Sequence, residues 1–146
     1  MWKQQRKQHN QPTNNQLRTC LSPESSFRLV NLMLMRRMLE SLGIVVVTAI
    51  TGEDSIARCY DSGPFDVVFM DVYMPGMGGI AAAAAIRQAG LVASHVHIYV
   101  LTASNSQGIE AECMAAGATR VLTKPVEKQT FVKLLIDPCS AAAKDN

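Results

Sequence analysis

No apolar run in this sequence approaches the length needed to cross a bilayer. The opening stretch MWKQQRKQHNQPTNNQ carries charge but no apolar core, so it is not a secretory signal. Both absences point to residence inside the cell, cytoplasmic and/or nuclear. The four cysteines, Cys20, Cys59, Cys113 and Cys139, are scattered; no C-x-x-C pair and no histidine at zinc spacing accompanies them. Metal-site and disulfide-framework readings are both poor on this pattern, and free, buried or half-buried thiols are the expectation. His9, His95 and His97 also lack ligand partners in sequence, and His95 and His97 read as structural residues at the start of a strand.

Acidic residues are scarce at the amino-terminal end. Glu24 is the one acid before Glu40, whereas Lys3, Arg6, Lys7, Arg18, Arg28, Arg36 and Arg37 crowd the same region. This basic arm lacks interleaved aromatic residues and a DNA-binding helix motif, which argues against nucleic acid as a partner. Residues 1–16 are rich in Gln and Asn with almost no apolar side chains, and are expected to form a disordered polar basic tail.

Beyond residue 16 strand and helix patterns alternate regularly. Leu17 to Leu21 is a short strand candidate, and Ser22-Pro23 fits a helix start with Ser as the cap and Pro in the first turn. Phe27, Val30, Leu34, Met38 and Leu42 recur at helical spacing up to Gly43, with Met33, Met35 and Met38 read as core filler. Ile44 to Thr48 is a β-branched strand, and a helix is expected from about Glu53 to Tyr60. The run FDVVFMDVYMPGMGG, Phe65 to Gly79, has the composition of a strand buried on both faces, closed by Asp71 and then by Pro75 and glycines. A helix opens at Gly79, a strand covers Val96 to Leu101, and a helix covers Gln107 to Ala116. Arg120 to Thr123 is a short strand ending in Lys124-Pro125, and an amphipathic helix from Glu127 to Ile136 follows.

Strand and helix in alternation imply a parallel α/β sheet with right-handed crossovers. Asp71, Thr102 and Lys124 then share its carboxyl edge, where open α/β sheets bind ligands. Taken alone, Asp71 reads equally well as a solvated turn residue or a helix cap. With a hydroxyl and an ammonium beside it, the carboxylate becomes a candidate nucleophile toward phosphorus. Lysine and a divalent cation neutralise the phosphoryl oxygens in such a transfer.

Around these residues the chain resembles the receiver domain of two-component response regulators. The matching pieces are FDVVFMDVYMPGMGG around Asp71, VLTAS around Thr102, AAGATRVLTKP around Lys124, and MLESLG at the end of the first helix. The resemblance implies a doubly wound, flavodoxin-like (βα)5 fold with sheet order 2-1-3-4-5, a receiver domain over residues 17–136 and a C-terminal tail over 137–146. It implies that Asp71 is the phosphoacceptor, Thr102 the switch hydroxyl, and Lys124 the cation pairing with the phosphoryl group. It also implies a cis Lys124-Pro125 bond and a Mg²⁺ site served by Asp71 and the backbone carbonyl of Tyr73. The expected partner is a histidine kinase or a histidine phosphotransfer protein. The protein would act as a phosphorelay regulator, not an enzyme. With few residues after Ile136, an output domain is not expected, and the stand-alone layout resembles plant regulators of the cytokinin type.

The sequence departs from the family pattern in two places. Gapless alignment back from MLESLG puts the family's pair of metal-binding acids at Ser26-Phe27. Glu24 is then the one family-like acid that could survive, and Mg²⁺ binding is expected to be weakened. The first strand is correspondingly degenerate or missing: either Leu17 to Leu21 fills its central slot, or the sheet has an unfilled centre. The second departure is Val121, which stands where the family's switch aromatic is usual. A second function therefore stays open, a pseudo-receiver that binds partner proteins without efficient phosphorylation. A third, an aspartate-nucleophile phosphatase, would want a second acid where Tyr73 stands.

Overall fold

Five strands alternate with five helices through the computed structural model, which describes residues 18–22, 28–103 and 107–136. In chain order these are β1 Arg18–Ser22, α1 Arg28–Ser41, β2 Val45–Thr48, α2 Gly52–Asp61, β3 Val67–Asp71, α3 Gly79–Gln88, β4 His97–Thr102, α4 Gln107–Ala115, β5 Arg120–Thr123 and α5 Lys128–Ile136. All strand pairs are parallel, and the sheet order is β2-β1-β3-β4-β5. The expected doubly wound topology is thus present. The tail regions 1–16 and 137–146 lie outside the described residues.

The central slot is filled. β1 pairs with β2 on one side (Cys20↔Val47) and with β3 on the other (Cys20↔Val68), so the alternative of an unfilled sheet centre is corrected. Polar residues serve here because they are small or β-branched: Thr19 and Cys20 are fully buried, and Cys20 joins the core. Ser22 is the last strand residue, opposite Met70, and not the cap of α1. Its backbone continues the ladder to β3, and α1 begins at Arg28. Glu24, Ser26 and Phe27 lie between these elements, outside the described residues.

Side chains alternate across the sheet, which gives two cores. On one face Cys20, Val68, Met70, Ile98 and Val100 pack with Cys59 of α2, Ala82, Ala83 and Ile86 of α3, and Cys113 of α4. On the other, Val67, Phe69, Tyr99 and Leu101 meet Leu32 and Leu39 of α1 and Phe131 and Leu134 of α5. Phe69 anchors that second layer, edge-on to Phe131 with ring centroids 5.0 Å apart and tilted against Tyr99 at 5.5 Å. Such contacts hold β3, and with it Asp71, in a fixed place.

Helix α1 packs through a different stripe from the one its spacing suggested. Leu32 and Leu39 are buried and Met35 and Met38 lie against them, whereas Leu34 is 57% exposed and Met33 53%. Leu42 is also exposed. The helix RLVNLMLMRRMLES carries apolar residues on nearly every side, so periodicity alone could not select the face that the sheet covers.

The thiols behave as expected from their scatter. Cys20, Cys59 and Cys113 are free and buried, and Cys139 lies outside the described residues. A hydrogen bond from the Cys20 thiol holds Cys59 below the ordinary thiol pKa, against the opposing effect of burial. Burial, reinforced by Glu112 and Glu110, pushes the Cys113 thiol up. Among the described residues no helix is long and apolar enough to cross a membrane.

Candidate functional site

Asp71 is the last residue of β3 and is 2% exposed, and each of its carboxylate oxygens has a donor. The backbone N–H of Tyr73 donates to Oδ1 at 3.0 Å, and the Lys124 ammonium pairs with Oδ2. Two donors from different directions fix the carboxylate plane. Beyond Asp71 the chain turns sharply under α3: Val72 N–H bonds Leu101 O at 2.9 Å and Gly79 N–H bonds Val72 O at 2.9 Å. That turn depends on Gly79, because a Cβ there would stand 1.9 Å from the Asp71 carbonyl oxygen.

Lys124 reaches Asp71 from the tip of β5. Its side chain is 24% exposed, so the pair is sheltered at the Asp71 end and open at the lysine end. The Lys124 backbone N–H bonds Thr102 O at 2.8 Å, which ties the end of β5 to the end of β4. The Lys124-Pro125 peptide is cis, as the resemblance implied, and so is Gly63-Pro64. Thr102 closes β4, fully buried, one residue past Leu101, the β4 partner of Asp71. Asp71, Thr102 and Lys124, far apart in sequence, therefore meet at one carboxyl edge.

The other expected site residues stand differently. Tyr73 is adjacent to the Asp71 carboxylate through its backbone, and its side chain is half in solvent, 52% exposed. Val121 lies on β5 opposite Val100 and packs against the α2/α3/α4 face of the sheet, an aliphatic contact where the family places an aromatic switch. Glu24 lies outside the described residues, two positions after the end of β1.

The chemistry of the donor set bears on Mg²⁺. Among the described residues no group of three His, Cys, Asp or Glu side chains is placed to hold a metal ion. Asp71 brings one carboxylate, already shared with an ammonium, whereas Mg²⁺ favours hard oxygen ligands in strict octahedral geometry. The described residues alone do not fit the ion.

One site contact was not anticipated from sequence. Glu53, in the first turn of α2, accepts the Met77 N–H with both carboxylate oxygens, at 3.0 and 3.2 Å. The partners are 24 residues apart, and no local pattern announces such a bond.

Residues 28–136 match the family described as the response regulator receiver domain. The chain belongs to that family. Receiver domains of two-component systems accept a phosphoryl group, typically bind Mg²⁺ and engage histidine kinases and phosphotransfer partners. This receiver is 37% identical over 103 residues to the response regulator UvrY of Escherichia coli (strain K12), a match spanning 69% of this chain and 45% of UvrY. It is 36% identical over 77 residues to Histidine kinase 1 of Arabidopsis thaliana, covering 52% of this chain and 6% of that protein. The receiver thus spans less than half the length of either relative. Among solved structures, it superposes on the chemotaxis protein CheY4 of Vibrio cholerae with a TM-score of 0.73 at 28% identity, over 83% of this chain and 97% of that one. It also superposes on the receiver domain of the sensor histidine kinase PA1611 of Pseudomonas aeruginosa, TM-score 0.72 at 27% identity, over 82% and 94% of the chains. The latter structure has a magnesium ion coordinated in the active site cleft.

Proposed function

We propose that this receiver takes a phosphoryl group onto Asp71 from a phosphohistidine donor in a His-to-Asp phosphorelay. The observation that carries this reading is the buried Asp71 carboxylate gripped by Lys124 Nζ and the Tyr73 N–H at one sheet edge. In the transfer, an Asp71 oxygen attacks phosphorus, the P–N bond to the donor imidazole breaks, and the ring nitrogen leaves with the bond's electron pair. The product is an acyl phosphate on Asp71. Lys124 balances the added negative charge, and the Thr102 hydroxyl supplies a hydrogen bond to a phosphoryl oxygen. Asp71 regenerates by hydrolysis or onward transfer, so the protein is a signal carrier and not an enzyme acting on a separate substrate.

Mg²⁺ would be held by Asp71, the Tyr73 carbonyl and Glu24, with neutralisation of phosphoryl charge as its contribution. On the gapless alignment the family's acid pair falls at Ser26-Phe27, neither of which is acidic, and this supports weakened binding. Glu24→Gln is expected to raise the Mg²⁺ concentration needed for half-maximal labelling on the order of tenfold. A cytokinin-type plant phosphorelay is the first pathway in which to seek the donor, a choice supported by the likeness to the Arabidopsis histidine kinase.

A second reading, a pseudo-receiver binding partners without efficient phosphorylation, is favoured by the poor fit of the described residues to Mg²⁺. The two separate in one experiment. Purified protein is incubated with a phosphohistidine donor, with and without Mg²⁺, beside Asp71→Asn. Base-labile label that needs both Mg²⁺ and Asp71 supports the phosphoacceptor. Label retained on Asp71→Asn would remove the assignment, and no label on folded protein, where a control receiver is labelled, would favour the pseudo-receiver.

A further inference from the structure

The loop between β3 and α3 carries the Tyr73 amide that holds Asp71, and it is gripped at its far end from another element. Glu53 chelates the Met77 N–H from the first turn of α2, and Gly52 beside it lies so close to the loop that a Cβ would stand 2.2 Å from the Met77 carbonyl oxygen. Gly76, at φ +71°, brings the loop within contact of the same carboxylate; a Cβ there would meet Glu53 Oε1 and Oε2 at 2.9 Å. From Tyr73 to Met77 the loop is therefore pinned by one bond to the acceptor and a second, charge-assisted one to α2. Three glycine-dependent or charged contacts converge around Met77, more than closing a surface loop requires.

We infer that Glu53 is a positioning residue for phosphoryl transfer: by holding the Met77 amide it fixes the loop that aims the Tyr73 N–H and carbonyl at the Asp71 site. The inference rests on Asp71 as phosphoacceptor. Its chemistry is that of preorganisation: a donor aimed in advance costs no reorganisation during transfer, and small misplacements are expensive in rate. Glu53 is exposed on α2 and touches neither the carboxylate nor the transferring group, so it acts through the loop alone.

The test uses the full chain, with Glu53→Ala and Glu53→Gln, labelled from a small-molecule acyl phosphate so that no partner surface is involved. Glu53→Ala is expected to slow labelling on the order of tenfold at saturating donor, with the donor concentration for half-maximal rate unchanged. Glu53→Gln keeps an acceptor oxygen for the Met77 N–H and is expected to recover to within about threefold of the parent rate. Amide hydrogen exchange is followed in parallel: the Tyr73 and Met77 N–H groups should lose protection in Glu53→Ala while the β3 amides of Val68 and Phe69 keep theirs. Parent-like labelling by Glu53→Ala, or failure of Glu53→Gln to recover, overturns the inference. Should the parent itself take no label, the phosphoacceptor reading fails. The exchange data then decide separately whether Glu53 orders the acceptor loop, and unchanged Tyr73 protection in Glu53→Ala would refute the positioning role.

Discussion

Lys124 Nζ pairs with Asp71 Oδ2 across 53 residues of sequence, joining the tips of β5 and β3 over the end of β4. The same contact that would prepare the acceptor also stabilises a carboxylate whose side chain is 3% exposed. Function and stability are therefore coupled at this pair.

Removing the ammonium takes away the cation paired with a carboxylate in a sheltered site. Lys124→Ala is expected to cost about 1–3 kcal/mol of unfolding free energy. Asp71→Asn in the same background should return much of it, because the uncompensated charge is gone. Urea unfolding of the parent, both single variants and the double variant gives the coupling. Additive single-variant effects would mean that the pair contributes nothing to the fold.

Gly79 sets the distance between α3 and the acceptor strand. In an ordinary first helical turn Ala would improve helix propensity, but here a Cβ would lie 1.9 Å from Asp71 O and 2.7 Å from Asp71 C, both backbone atoms that cannot swing aside. Gly79→Ala is expected to destabilise by about 1–3 kcal/mol through overpacking. It should also shift α3 away from β3, visible as loss of the Gly79 N–H to Val72 O bond by amide exchange. A stabilised Gly79→Ala protein would contradict this close approach.

The amino end of α2 is closed by a reciprocal cap. Thr51 Oγ1 accepts the Asp54 N–H at 3.0 Å, and Asp54 Oδ2 accepts the Ile50 N–H at 3.0 Å. Thr51→Ala should cost about 1 kcal/mol, read as a lower urea midpoint with an unchanged slope. It should also loosen Glu53 two residues on, so labelling of Asp71 slows in step with the Glu53 variants. A stability loss with no change in labelling would separate the cap from the acceptor loop.

How much of this was legible in the sequence varied with the kind of interaction. β3 was plain because VVFMD is buried at every position, and a strand covered on both faces has few acceptable compositions. β1 was nearly invisible, since the central slot accepts Thr19 and Cys20 for their size and shape, and such residues also suit loops. The α1 face differs from the one its spacing suggests because Leu34 and Leu32 are equally apolar, and only the position of the sheet decides between them. Asp71, Thr102 and Lys124 could be placed together because the parallel sheet dictates where strand ends lie. Glu53 could not, since its partner is a backbone amide in a loop whose path depends on the whole fold.

His97 offers a pH test on the sheet edge opposite the site. Its ring stacks on Tyr99 with centroids 5.8 Å apart and planes 9° from parallel. Burial first, then the nearby Arg87 guanidinium and His95, hold its pKa below the ordinary 6.5. Above pH 6.5 the ring is neutral in both folded and unfolded chains and adds no pH dependence. As the pH falls through 6.5 the unfolded chain takes up the proton first, so stability declines until the pH passes the lowered folded value. Below that point both states carry the proton and the loss is complete. His97→Gln removes this titration, and its lost stacking lowers stability by a constant amount at all pH values. The slope of unfolding free energy against pH, measured by urea between pH 7 and 5, should therefore be shallower in His97→Gln than in the parent. Parallel slopes would show that His97 is solvated enough to titrate as it does in the unfolded chain.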